Sequence, residues 1–164
     1  MASQRSADDV RIEIGPDRFS DWSGLLALLH AAYAYMDGRI DPPSSLLRMD
    51  AAELERKARA ETLILAWHEA ALIGCAFASE RRDCMYMGKL AVAAAHRGRG
   101  IARRLMQAAE ALARERGRAW LELETRIELT ENHETFAALG FHETAETAHA
   151  GYARPTSITM RKAV

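Results

Sequence analysis

One junction constrains the fold of this chain more than any other. Met85-Tyr-Met-Gly-Lys-Leu-Ala-Val92 is an apolar run of strand character. It passes through His96-Arg97-Gly98-Arg99-Gly100 straight into a long helical segment, residues 101–117. There Ile101, Leu105, Met106, Ala109, Leu112 and Ala113 share one face, and Arg103, Gln107, Glu110 and Arg114 share the other. A helix with such a stripe must bury it on another layer, and the strand before it belongs to that layer.

The flanking sequence extends this pattern. Val10-Arg-Ile-Glu-Ile14 alternates at period two and reads as a half-buried strand, ended by Gly15-Pro16. Ser20 is the expected N-cap of a helix carrying Trp22, Leu25, Leu26, Leu29, Ala32, Tyr33 and Met36 on one side. Gly38 and Pro42-Pro43 break the chain into a loop, and Asp50 caps a second short helix running to about Arg59. Residues 62–67 and 71–78 are apolar runs joined as a hairpin. Beyond the long helix come a strand at 120–125, a short helix at 131–139 closed by Gly140, and strands at 141–147 and 156–160. Strands and helices intermix around one sheet, so the fold class is α/β (α+β), with residues 1–164 as one domain.

Composition narrows the function. Lys and Arg number 22 against 23 Asp and Glu, a net charge of -1, which argues against a nucleic-acid binder. With 49% hydrophobic and 27% charged residues, the chain is neither disordered nor a membrane protein. No apolar run approaches the ~18 residues of a membrane span, and the N-terminal stretch has no signal-peptide core. A cytoplasmic location is the expectation. Cys75 and Cys84 form neither a disulfide framework nor a zinc spacing, and His30, His68, His96, His142 and His149 are scattered, so no metal is expected.

The loop between strand and long helix carries chemistry. A helix N-terminus presents free N–H groups and the positive end of its dipole, glycines admit close approach, and arginines add charge. Together they describe a phosphate cradle. A Walker loop is excluded because Ile101 and Ala102 follow Gly100, and a dinucleotide fingerprint lacks its third glycine, since Arg103 stands there. A plain strand-to-helix turn is the structural alternative.

Arg97-x-x-Gly100-x-Ala102 after Leu90-Ala-Val92 resembles the acetyl-CoA-binding motif of the GNAT superfamily of N-acetyltransferases, whose pattern is Gln/Arg-x-x-Gly-x-Gly/Ala. Leu123-Glu-Thr-Arg126 resembles the Leu-Glu-Val-Arg strand of ribosomal-protein-type members, and Leu139-Gly-Phe141 the Leu-Gly-Phe that ends the family's penultimate helix. The order of elements matches the family over nearly the whole chain. The resemblance implies a single mixed, mostly antiparallel sheet with a central splayed strand pair, flanked by about four helices. It implies acetyl-CoA as co-substrate, with its pyrophosphate on the amides of Arg97, Gly98, Arg99, Gly100, Ile101 and Ala102. The pantetheine arm would pair with the backbone of Leu90, Ala91 and Val92, where a splayed strand leaves groups that a peptide-like arm can satisfy. Gly88 fits a bulge in that strand or a close approach of ligand backbone, with tight packing beneath a helix as the plain alternative.

The implied reaction is direct attack of an amine on a thioester, and an amine of pKa ~10.4 must first lose its proton. Glu124 occupies the position of the family's base; the alternative is a solvated strand carboxylate sharing a face with Glu122. Tyr86 stands where histone-modifying relatives carry a glutamate, but a phenol of pKa ~10 is a poor base and reads as a pocket wall. Two departures stand out. Phe136 replaces the tyrosine that protonates the leaving thiolate, which leaves His133, Tyr152 or water to substitute and places Phe136 among the cofactor-binding positions. Leu129 replaces an asparagine whose role Asn132 takes over, unless Asn132 only caps the helix.

Asp37, Arg39 and Asp41 are the candidate acceptor readers, because the resemblance hangs this loop over the acceptor side. Mixed charge suits a zwitterionic amine, with a surface ion pair as the bland alternative. The expected partners are acetyl-CoA and an amine acceptor, with a homodimer left open. A catalytically silent acyl-CoA-binding or sensor domain on the same fold is the competing function, motivated by Phe136.

Overall fold

The computed structural model describes residues 9–164. Seven strands and four helices follow one another as β1 (Val10–Ile14), α1 (Trp22–Tyr33), α2 (Ala51–Ala60), β2 (Thr62–His68), β3 (Ala71–Glu80), β4 (Cys84–Val92), α3 (Ile101–Glu115), β5 (Trp120–Arg126), α4 (Thr130–Ala138), β6 (His142–Thr147) and β7 (Ser157–Ala163). Short 3-10 turns cover Ala34–Met36, Ser45–Arg48 and Ala94–His96. No described helix is long and apolar enough to cross a membrane.

The strands form one sheet in the order β1-β2-β3-β4-β5-β7-β6, antiparallel throughout except at the parallel β4–β5 pair. That pair holds only at Cys84–Trp120, Met85–Leu121 and Tyr86–Glu122. Past Tyr86 the two strands part, and the expected central splay lies in the middle of the sheet.

Side-chain alternation builds a core on each face. One cluster joins Ile64, Ala76, Met85, Met87, Leu121 and Leu123 to the stripe of α3, including Leu105, Ala109 and Leu112. The other sets Leu25 and Leu29 of α1 and Leu54 of α2 against Leu63, Leu65, Phe77 and Ala91. Burying roughly a dozen large aliphatic side chains at about 1.5–3 kcal/mol each is what holds these layers together.

Several boundaries differ from the sequence expectation. The N-cap of α1 is Asp21, whose carboxylate accepts from the Gly24 N–H at 3.0 Å; Ser20 supplies only its carbonyl, to Trp22. Asp50 caps α2 as expected, accepting from the Glu53 N–H at 2.8 Å. The last strand runs on to Ala163, because Arg161, Lys162 and Ala163 continue the ladder opposite Glu122, Leu121 and Trp120 of β5. Gly140, at φ 100°, ends α4 in the left-handed region, where only glycine is unstrained.

Candidate active site

The bulge in β4 shapes the site. Opposite β3, Gly88 pairs with Phe77 and Ala91 with Cys75, so Lys89 and Leu90 together face Ala76 alone. Lys89 takes φ 52°, a left-handed conformation uncommon for a residue with a side chain. The bulge lies one residue beyond Gly88, whose φ is ordinary. A Cβ on Gly88 would meet only a Tyr86 ring carbon at 3.4 Å, so Gly88 borders the bulge and is not pressed beneath a helix. At Gly74 of β3, by contrast, an added Cβ would come 3.1 Å from the Ala91 carbonyl.

The extra residue shifts the strand's phase. Met85 and Met87 pack on the α3 side before the bulge, and Leu90 and Val92 do so after it. Ala91 is therefore buried toward α1, and Lys89 shares the α1–α2 face with Tyr86. On β5, Leu121 and Leu123 face α3, which sends Glu122, Glu124 and Arg126 to the α1–α2 face as well.

A cleft of about 290 Å³ opens at the splay. β4 contributes Tyr86, Gly88, Lys89 and Leu90, and β5 contributes Glu124, Thr125 and Arg126. The connection after α1 roofs it with Tyr35, Met36, Ile40 and Ser44, while Asn132 and Phe136 of α4 close one end. Glu124 is exposed to this space; Glu122, two residues away, is buried between Arg81 at 3.1 Å and Arg161 at 2.7 Å. The Arg81 guanidinium lies 3.8 Å over the Tyr86 ring, and burial, with Glu124 nearby, pushes the Tyr86 phenol up to about 12. Tyr86 is therefore protonated at neutral pH, and its value as a base is lower still. Phe136 packs edge-on against Phe141.

The remaining expected site residues are distributed as follows. Residues 97–102 lie outside the cleft lining, at the start of α3. Gly98 and Gly100 both take φ 75°, and a Cβ on either would meet nothing within 4 Å. Gly100 is the N-cap and offers no side chain to the helix, so the first amides of α3 face outward. Arg97 and Arg99 are exposed and form no ion pair among the described residues. This surface fits a pyrophosphate.

His133 does not line the cleft; its Nε2–H donates to the Arg126 carbonyl at 2.9 Å. Tyr152 donates its hydroxyl to Asp41 at 2.5 Å, which raises its pKa, and it too lies outside the lining. The acceptor-reading expectation for residues 37–41 is redirected. Arg39 pairs with Glu131 at 2.6 Å, Asp41 also receives Arg154 at 2.9 Å, and none of Asp37, Arg39 or Asp41 lines the cleft. The same loop reaches the cleft through uncharged side chains. Asn132 is not a cap: its amide donates to the Tyr35 hydroxyl at 3.0 Å, in the third position of α4.

Sequence reasoning missed Tyr33, Lys89 and Arg126. Tyr33 was absorbed into the apolar stripe of α1, and nothing local marks Lys89 as the bulge residue. Arg126 was legible only as the last letter of a motif. Among the described residues, no cluster of three or more His, Cys, Asp or Glu side chains could hold a metal ion.

Residues 22–141 match the model of the acetyltransferase (GNAT) family. The chain belongs to that family. Membership makes it an acetyltransferase with acetyl-CoA as co-substrate. Solved GNAT-fold structures agree in architecture. The PaiA N-acetyltransferase of Thermoplasma acidophilum, solved in complex with coenzyme A, superposes with a TM-score of 0.75 at 14% identity, covering 94% of this chain and 99% of that one. A GNAT family acetyltransferase from Elizabethkingia anophelis with acetyl-CoA bound gives 0.68 at 16% identity, over 96% and 99%. The ribosomal-protein-S18-alanine N-acetyltransferase of Escherichia coli gives 0.68 at 17% identity, over 93% and 94%. Among curated proteins, no sequence match reaches significance.

Proposed function

We propose that this chain transfers an acetyl group to an amine acceptor bound in the splayed cleft, with Glu124 as the base. The observation that carries this reading is the position of Glu124. It is an exposed carboxylate on the cleft wall, on the face opposite the core stripe of α3. Residues 97–102 would hold the pyrophosphate, and the backbone beyond the bulge, at Leu90 and Val92, would pair with the pantetheine arm. When bound, acetyl-CoA supplies the thioester carbonyl that the amine attacks.

The chain's own residues have distinct tasks. Glu124 accepts the ammonium proton, directly or through one water, and frees the lone pair for attack. Tyr86, held protonated by burial, lines the cleft and is the hydroxyl offered in place of the tyrosine missing at Phe136. A thiol of pKa ~8.5 leaves tolerably without a strong acid, so the absent proton donor at Phe136 costs at most about 10²–10⁴-fold. Phe136 and Leu129 form an apolar wall that limits water at one end of the cleft.

Phe136 is also the observation that favours the second reading, a silent acyl-CoA sensor. One experiment separates the two: free-thiol release from acetyl-CoA across a broad panel of amines. Saturable release with one acceptor class supports transfer; tight acetyl-CoA binding with no release from any amine supports the sensor.

A further inference from the structure

The cleft holds more positive charge than acetyl transfer requires. Lys89 and Arg126 line it on the same face as Glu124, and neither forms an ion pair among the described residues. The Nη1 of Arg126 is buried without any hydrogen-bond partner, while Nη2 reaches only the Pro43 carbonyl, at 3.4 Å. Nearby carboxylates favour the Arg126 cation, Glu128 most of all, but none forms an ion pair with it among the described residues. Glu61 holds Lys57 at 2.6 Å, and Asp41 holds Tyr152 and Arg154. Glu128 accepts from the Asp41 N–H at 2.8 Å with one oxygen, and its other oxygen is buried without a partner. Burial and the neighbouring Lys57 disfavour the charge on Lys89, and burial does the same at Arg126. A guanidinium cannot shed its proton to escape that cost, so an arriving anion is its remedy.

We infer that the acceptor is an amine that also carries a carboxylate, held by Arg126 and Lys89 while Glu124 takes the proton from its ammonium. This rests on the acetyl-transfer reading and deepens it. A carboxylate matches the planar fork of Arg126, and the ammonium end is left to Glu124, two residues away on the same strand face. A polyamine would instead bring its charges against two fixed cations. The zwitterionic preference expected from Arg39 thus passes to residues inside the cleft.

The test compares matched amines by thiol release from acetyl-CoA: L-phenylalanine with phenethylamine, and L-lysine with cadaverine, with spermidine as a polycation. The expected result is a higher kcat/KM for the carboxylate-bearing member of a pair by roughly ten- to a hundredfold, carried by KM. Arg126→Gln should collapse that ratio toward one, Arg126→Lys should restore part of it, and Lys89→Gln should lower it independently. Acetyl-CoA affinity, measured on each variant, reports that the fold is intact. Preference for the decarboxylated amines or for spermidine, or a ratio unmoved in both Arg126→Gln and Lys89→Gln, overturns the inference and leaves acetyl transfer standing. Absence of thiol release with every amine overturns both.

Discussion

The Tyr33 hydroxyl donates to the Leu90 carbonyl at 3.0 Å, tying the end of α1 to β4 just past its bulge. Burial raises the Tyr33 phenol well above its ordinary value, so it remains a donor across the working pH range. Tyr33→Phe removes this tie while keeping the ring. It should lower the free energy of unfolding by about 0.5–1.5 kcal/mol. A denaturant titration should show a lower midpoint with an unchanged slope; an unchanged midpoint would mean that water replaces the hydroxyl at no cost.

Gly100→Glu places a side chain and a negative charge in open space at the start of α3, at a backbone φ of 75°. Acetyl-CoA binding should weaken by at least about tenfold, from repulsion added to left-handed strain. Calorimetric titration checks this. Undiminished affinity moves the pyrophosphate away from residues 97–102.

Glu124→Gln preserves shape and removes the base. Turnover should fall by about 10²–10⁴-fold with little change in acetyl-CoA affinity. Glu122→Gln is the control that separates chemistry from structure. Its carboxylate is locked between Arg81 and Arg161, so that variant should lose stability first.

Asp41 joins the connection after α1 to the β6–β7 loop through Tyr152 and Arg154. The partners are exposed, so Asp41→Ala should change stability by only about 0–1 kcal/mol. The roof of the cleft loses a tether, however, and the acceptor KM should rise while acetyl-CoA affinity holds. Equal kinetics for the variant and its parent would confine Asp41 to the surface.

Acid should weaken the fold in a defined window. Arg118 and Arg116 hold Glu80 below its ordinary 4.5, Arg161 holds Asp83 below 3.8, and the Glu131 backbone N–H and Arg39 hold Glu131 below 4.5. Each folded-state value lies below the unfolded one. Their contribution is therefore complete above about pH 4.5 and is lost as pH falls through the folded values. Melting temperature should be flat on this account down to about pH 5 and then decline. Arg161→Gln should shallow that decline, and high salt should do so in the parent.

Periodicity in the sequence by itself determined most of the fold. The stripe of α3, the alternation of β1, the apolar runs of β2 to β4 and the Gly98–Gly100 loop are local patterns, and local patterns dictate which face a residue buries. They also carried the family resemblance, since the cradle is contiguous in the chain. Which distant charges meet was decided only in three dimensions. Arg39 found Glu131, Asp41 found Tyr152 and Arg154, and Glu122 was sealed between two arginines while Glu124 stayed open. A bulge in β4 was hinted at by Gly88, but its placement at Lys89, one residue on, was decided by the register with β3. A single inserted residue reverses the facing of everything beyond it. That reversal turned Lys89 into the cleft beside Arg126 and left Leu90 and Val92 facing α3.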